Sequence, residues 1–479
     1  MKSVKSLIAI ASASLLVTSC SKFGDTNINP NGTSTPSTAA LLSNVESGLG
    51  AAGSQTRDGL YAQYFSETQY TEVSLYALPK LDFDGNYSGL LYDLQNIIIY
   101  NTDPDKLPLS AKFGSANNQI AIARILKAYI YWNITDRWGD IPYSEALKGP
   151  EDLTPAYDTQ EAIYKDLIKE LKEASDQFDN GTKPVGDFLF KGDAAAWKRV
   201  ANSLRMLISL RTSKIYPNPG DWAATEFNAA FTDSDGYIDD STRTVTLSYP
   251  GNVAAFRNPF YNLYNGRTDF AESKLMTDFM VAYGDPRQAA FGSSTIGFPY
   301  GLTRPDAVAF GDANPSYAKI LASGFRGTAS AFPLITTSSV LLAAAEAAQR
   351  GWITADAAAL YEKGISESWR QWGIKNPTLL ATYMGQANVA LTTDALTKIQ
   401  MQQYFAFYPN GTQAWSNWRR TNVPALVPTP DATNASKQIP RRLTYGSLAY
   451  AVNTDNTNTA AGKIAGGDTP DSRVWWDKQ

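Results

Sequence analysis

Histidine is missing from all 479 residues, and cysteine occurs once, at Cys20. The first absence removes Ser-His-Asp and Cys-His catalysis and the commonest transition-metal ligand. The second removes any internal disulfide and any thiolate zinc site. A charge excess is also lacking: 42 basic residues face 46 acidic ones, and no basic stripe occurs. Such a chain has no electrostatic footprint for nucleic acid, so none is expected as a partner. After Val17 no run is long and apolar enough to span a bilayer. Paired-carboxylate chemistry of the glycosidase kind stays open, yet no pair of acids stands out by spacing. No motif calls for a cofactor or a metal, and an enzyme is not expected.

The position of the sole thiol is informative. Lys2 and Lys5 precede an uncharged, largely apolar run from Leu7 to Val17, and the small residues Thr18 and Ser19 lead to Cys20. That is the layout of a secretory signal, too short to cross a membrane. Val17-Thr18-Ser19-Cys20 resembles a bacterial lipobox, in which cleavage falls just before the cysteine and its sulfur takes lipid. The expected organisation is a lipoprotein signal peptide over 1–19 and a lipidated tether over 20–38. Residues 39–479 then form one domain anchored to a membrane through acyl chains. The tether reading rests on SKFGDTNINPNGTSTPST, which is polar, rich in turn formers and without periodicity.

What is abundant is aromatic: 26 Tyr, 20 Phe and 11 Trp. Rings fill cores, and their faces also stack on sugars. Helical patterns cover 39–70, 88–100, 116–135, 158–178 and 193–213. In 158–178 the stripe is Ile163, Leu167, Leu171, Ala174 and Phe178. Gly139 and Pro142 should stop the third helix in DRWGDIPY. The middle, 215–333, is loop-rich, with a short strand in TRTVTLSY at 242–249 and a helix over 271–283. Helices return at 336–350, at 354–372 with Thr354 as cap, and at 393–408. The fold class is mostly α with minor β, paired helices forming a scaffold around a long irregular middle.

Four segments carry a family resemblance. They are the lipobox followed by DTNINPN, the stretch ARILKAYIYWNITDRWGDIPYSEAL at 123–147, and LLAAAEAAQRGWITADAAALYEKGISESW at 341–369. The fourth is IQMQQYFAFYPNGTQAWSNWRRTNVPAL at 399–426, with IPRRLTYGSLAYAVN at 439–453 and VWWD at 474–477. Together and in this order they resemble the SusD/RagB family of outer-membrane nutrient-binding lipoproteins, in its SusD-like branch. Gln400 to Tyr404 departs from the charged residues usual in that family helix. The resemblance implies one domain with four tetratricopeptide-like helix pairs. It also implies a surface lid that delivers an oligosaccharide, or in some members a peptide, to a SusC-like TonB-dependent barrel. A non-catalytic helical-repeat scaffold and a glycosidase are the readings from other classes.

Loops on a helical scaffold carry binding. Sugar recognition needs ring faces together with amides, carboxylates or arginines. Two regions supply both. The first holds Tyr76, Asp82, Asp84, Asn86 and Tyr87, and the second holds Phe256, Arg257, Tyr261, Tyr264, Asn265 and Arg267. A third, weaker set is Phe298, Tyr300, Arg304 and Asp306. Glu346, inside an apolar run, reads as half of a structural ion pair with an arginine. Arg419, Arg420, Arg441 and Arg442 read as structural partners of late segments, and Asp103 and Asp105 as a solvated turn.

Overall fold

A computed structural model describes residues 37–77, 80–292 and 294–478. The proposed signal, Cys20 and nearly all of the tether lie outside the described residues. Among those described, no helix is long and apolar enough to cross a membrane.

The domain is built from helices packed in pairs around one main core. Its central member is Ala116–Trp138, which is buried almost all round and so carries little amphipathic stripe. Gly139, at φ 86°, ends it in a conformation that suits glycine. Gln160–Gln177 packs against it through Ile163, Leu167, Leu171 and Ala174, and the Thr159 hydroxyl caps its first turn. Ala194–Arg211 pairs with Trp222–Phe231, Thr337–Gln349 with Ala357–Gln371, and Ala395–Phe407 with Gly411–Thr421. These are the tetratricopeptide-like pairs expected from the sequence.

Three ribbons of two short antiparallel strands complete the fold. Phe65–Glu67 pairs with Phe270–Glu272, Ile141–Pro142 with Tyr157–Asp158, and Val245–Leu247 with Phe332–Ile335. Two expectations need correction. The pattern at 39–70 is not one helix but three, Thr38–Gly48, Gly50–Gly53 and Thr56–Tyr61, followed by the first strand. Gly53, the last residue of the second helix, and Gly59, inside the third, are packed so closely on Phe332 and Phe65 that a Cβ would clash. The cap at 354 is also displaced: Asp356 accepts from the backbone of Ala358 and Ala359, and the helix starts at Ala357.

Buried charge joins the pairs. Glu346 has no exposure and accepts from Arg420 at 2.6 and 2.7 Å, Arg350 at 2.9 Å, Gln400 at 3.1 Å and Gln403 at 2.9 Å. The ion pair read from the sequence is therefore present, and it links three helices. Arg441 pairs with Asp477, Arg442 with Asp468, and Arg419 lies over the Trp415 and Trp476 rings. Asp103 pairs with Lys106 in an exposed turn. At the other end, Glu46 accepts from the backbone of Phe188 and Leu189. Burial, with Asp187 close by, pushes its carboxyl up to about 10.

Two outcomes follow for stability. Glu346→Gln leaves the Arg420 guanidinium buried without its counter-charge, at a cost of roughly 3–5 kcal/mol in denaturant unfolding at pH 7. Arg420 holds the Glu346 carboxyl below its ordinary value of 4.5. The pair's contribution is thus complete above that pH and lost as pH falls further, a loss the Gln variant should not show. Glu46 has the opposite sign. It is protonated in the fold and ionised in the unfolded chain between about 4.5 and 10, so it lowers stability as pH rises. Glu46→Gln should flatten that slope, with its gain in unfolding temperature larger at pH 8 than at pH 5. An equal gain at both values would refute the assignment.

Candidate functional site

The Phe65–Glu67 and Phe270–Glu272 ribbon organises a loop face. Leaving the first strand, Thr68 donates its N–H to the Asp269 carbonyl at 2.9 Å. Glu67 then accepts from the N–H and hydroxyl of Ser74 at 2.8 and 2.9 Å, which closes the turn over 71–76. Burial pushes the Glu67 carboxyl up to about 7. Between these points stands Tyr70, 49% exposed, a high value for an aromatic ring. Arg304 begins the helix Arg304–Ala313 and places its guanidinium 5.1 Å from the centre of the Tyr70 ring. On the partner strand's approach, Arg267 is exposed and pairs with Asp269. Thr303 donates to Asp306 at 2.6 Å, which fixes the start of the arginine's helix. Tyr70, Arg304 and Asp306 are thus exposed together, and Arg267 is exposed where it pairs with the buried Asp269.

Under that surface lies a layer of tyrosines. The Tyr264 hydroxyl donates to the Phe270 carbonyl at 3.0 Å and accepts from the Ile320 N–H at 2.7 Å. Arg326 and Lys319 flank its ring. Tyr76 and Tyr300 bring their hydroxyls together within the fold, and burial raises both. Tyr76 is 1% exposed and sits at φ 62°, a backbone conformation rarely taken by a bulky residue.

The expected ligand residues divide accordingly. Arg267 falls on the exposed face, together with Arg304 and Asp306 of the weaker set. Tyr76, Tyr264 and Tyr300 lie beneath it, and Phe298 is fully buried against Phe310 and Tyr317. Tyr76 is therefore corrected as a buried ring, while Tyr264 and Tyr300 are half-buried with their hydroxyls withdrawn from water.

The rest of the first region points elsewhere. Tyr87 donates to the Pro142 carbonyl at 2.6 Å, and its ring packs on Phe83 and Tyr131. Asp82 accepts from the Leu448 N–H at 3.0 Å, Asp84 starts a short turn of helix, and Asn86 donates to the Phe83 carbonyl. Through these contacts 80–87 is tied to the end of the domain. Trp138 does the same, donating to the carbonyls of Leu81 and Thr444.

Of the second region, Arg257 lies over the half-buried Tyr261 ring at 5.6 Å, and Asn265 is exposed. Phe256 lines a different surface, an open, mostly apolar groove of about 950 Å³ shared with Phe188, Leu247 and Tyr249. Tyr70 was missed in the sequence because the helical pattern seemed to run through it. Its signal was a ring amid polar residues in ETQYTEVS.

Known proteins resemble this chain along its length. The family model described as SusD-like, starch-binding associating with outer membrane, matches residues 30–446. A chitin-binding SusD homologue from Flavobacterium johnsoniae is 25% identical with a TM-score of 0.78, over 92% of this chain and 98% of that one. A chitin-binding protein is likewise 25% identical, with a TM-score of 0.77 over 92% and 100%. A SusD homologue from Bacteroides fragilis shares the fold at 22% identity, TM-score 0.75, over 93% and 100%. No curated protein matches. The helical scaffold, its loop face and these likenesses agree: the chain belongs to the SusD-like family.

Proposed function

We propose that this protein is an outer-membrane lipoprotein, anchored through Cys20, that captures an oligosaccharide on its loop face and passes it to a SusC-like TonB-dependent barrel. The observation that carries the binding reading is the exposed Tyr70 ring with the Arg304 guanidinium over it. A ring face stacks on the apolar side of a pyranose, and the charged groups take its hydroxyls. Two structural relatives that bind chitin favour a glycan over a peptide as the ligand. The protein makes and breaks no bond in this reading. Consistent with that, Glu67 and Glu272, the carboxyls raised by burial beneath the face, are themselves buried. A glycosidic oxygen on the surface is beyond their reach.

Calorimetric titration against chitin, starch, xylan and mannan oligosaccharides and a peptide pool tests the ligand class. Tyr70→Ala and Arg304→Ala should each weaken binding of the active glycan by about tenfold, roughly 1.4 kcal/mol. Both residues are exposed, so the unfolding temperature should hold. Tyr76→Ala should instead cost roughly 3 kcal/mol of stability, because it empties a buried site. Unchanged affinity in both surface variants would remove the loop face as the binding site, and binding of peptides alone would replace the glycan reading.

The anchor has its own test. Cys20→Ala should move the protein from the membrane fraction to the soluble one and abolish incorporation of labelled fatty acid. Retention of label would place the lipid elsewhere.

A further inference from the structure

The turn that follows Tyr70 is closed by one carboxyl. Leu75 donates its N–H to the Thr71 carbonyl at 3.0 Å, Ala77 to Glu72 at 2.8 Å and Tyr76 to Val73 at 3.0 Å. These bonds make a tight turn that ends at Tyr76, whose φ of 62° is left-handed. The N–H and the hydroxyl of Ser74 both turn back to Glu67 Oε2, at 2.8 and 2.9 Å. Glu67 ends the strand Phe65–Glu67, so this contact pins the turn to the ribbon. The loop 68–73 between the two residues carries Tyr70.

Glu67 is poorly placed to be ionised. It is 6% exposed, and burial outweighs the two bonds from Ser74 that favour its charge. Glu72, in its own loop, adds a like charge. The Tyr300 phenol also faces it and stays protonated. Across the ribbon Phe270 stands opposite, and Asp269 is already paired with Arg267. Arg304, the cation beside the loop, lies over the Tyr70 ring instead.

A turn that opens returns Glu67 to water, where its carboxyl recovers the ordinary value of 4.5, whereas the closed turn holds that value at about 7. Closing therefore takes up a proton between those two values. The protonated side chain still accepts from Ser74 through its carbonyl oxygen. The closed turn is thus favoured at pH 5 and loses ground as pH rises to about 7.

We propose that Glu67 is the positioning residue for Tyr70: protonated, it holds the 71–76 turn and presents the ring, and ionised it loosens both, so that acid strengthens glycan binding. This regulation rests on the loop face being the glycan site. Titration of the full mature protein at pH 5 and pH 8, with whichever of the chitin, starch, xylan and mannan oligosaccharides is active, tests it. Affinity should fall at least about threefold over that interval as the closed fraction falls. Glu67→Gln keeps an acceptor for Ser74 and cannot ionise, so its affinity should be equal at both values and match the wild type at pH 5. Ser74→Ala removes a hydrogen bond that favours the ionised form, so the fall should extend above pH 7. A merely structural role would move neither profile. Hydrogen exchange reads the turn without any glycan. At pH 8 the amides of 71–77 should exchange at least about threefold faster in the wild type than in Glu67→Gln. Equal exchange in the two proteins, or a Glu67→Gln affinity that keeps the wild-type slope, would overturn the proposal. A flat wild-type profile beside a weakened Tyr70→Ala would sink the regulation alone. Tyr70→Ala with unchanged affinity would sink the loop-face reading as well.

Discussion

Glu346 stands fully withdrawn from water where three helices meet, and five side-chain hydrogen bonds reach it. An ionised carboxylate in that position is tolerable only when paired and hydrogen-bonded. The requirement is geometric as well as energetic. Arg420 must arrive from Gly411–Thr421, Gln400 and Gln403 from Ala395–Phe407, and Arg350 from just past the end of the glutamate's own helix. The same Arg420 reaches Ser213, at the end of the Ala194–Arg211 helix. Two further pairs repeat the device, Asp136 with Arg211 and Asp58 with Arg137, and Arg287, held locally by Asp285, reaches Ser368 and Gln402 on two other helices. Apolar burial holds the helices together, but these pairs choose among the ways of packing them.

This division of labour explains what could be read from the sequence. Glu346 was legible because a lone acid in LLAAAEAAQ has few other uses. The stripe Ile163, Leu167, Leu171 and Ala174 was legible because a one-sided helix must repeat at 3.6 residues. The region at 39–70 misled because its apolar spacing runs on through the interruptions at Leu49 and at Ser54–Gln55. The ribbons were hard to see for a simpler reason: strands of two to four residues are too short to show alternation.

The loop face was half legible. Arg267 and Arg304 stand out in the sequence as cations in irregular segments, and both are exposed. Composition alone could not separate a ring that braces from one that is displayed. Tyr76, Tyr87 and Tyr300 carry the same side chain as Tyr70, and only packing decides that their hydroxyls are enclosed and that Tyr70 stands in solvent. The pairing of Tyr70 with Arg304 joins positions far apart in the chain, and no local pattern could announce it.

The ribbon of Phe65–Glu67 and Phe270–Glu272 has a consequence for how such a protein changes over generations. Both sides of the displayed surface leave from this one short ribbon, while the ionic locks of the scaffold lie on helices elsewhere in the chain. Substitutions or insertions in the loops therefore alter what is touched without disturbing what holds the helices in register. Diversification can proceed in small heritable steps, each sampled on a frame that stays folded.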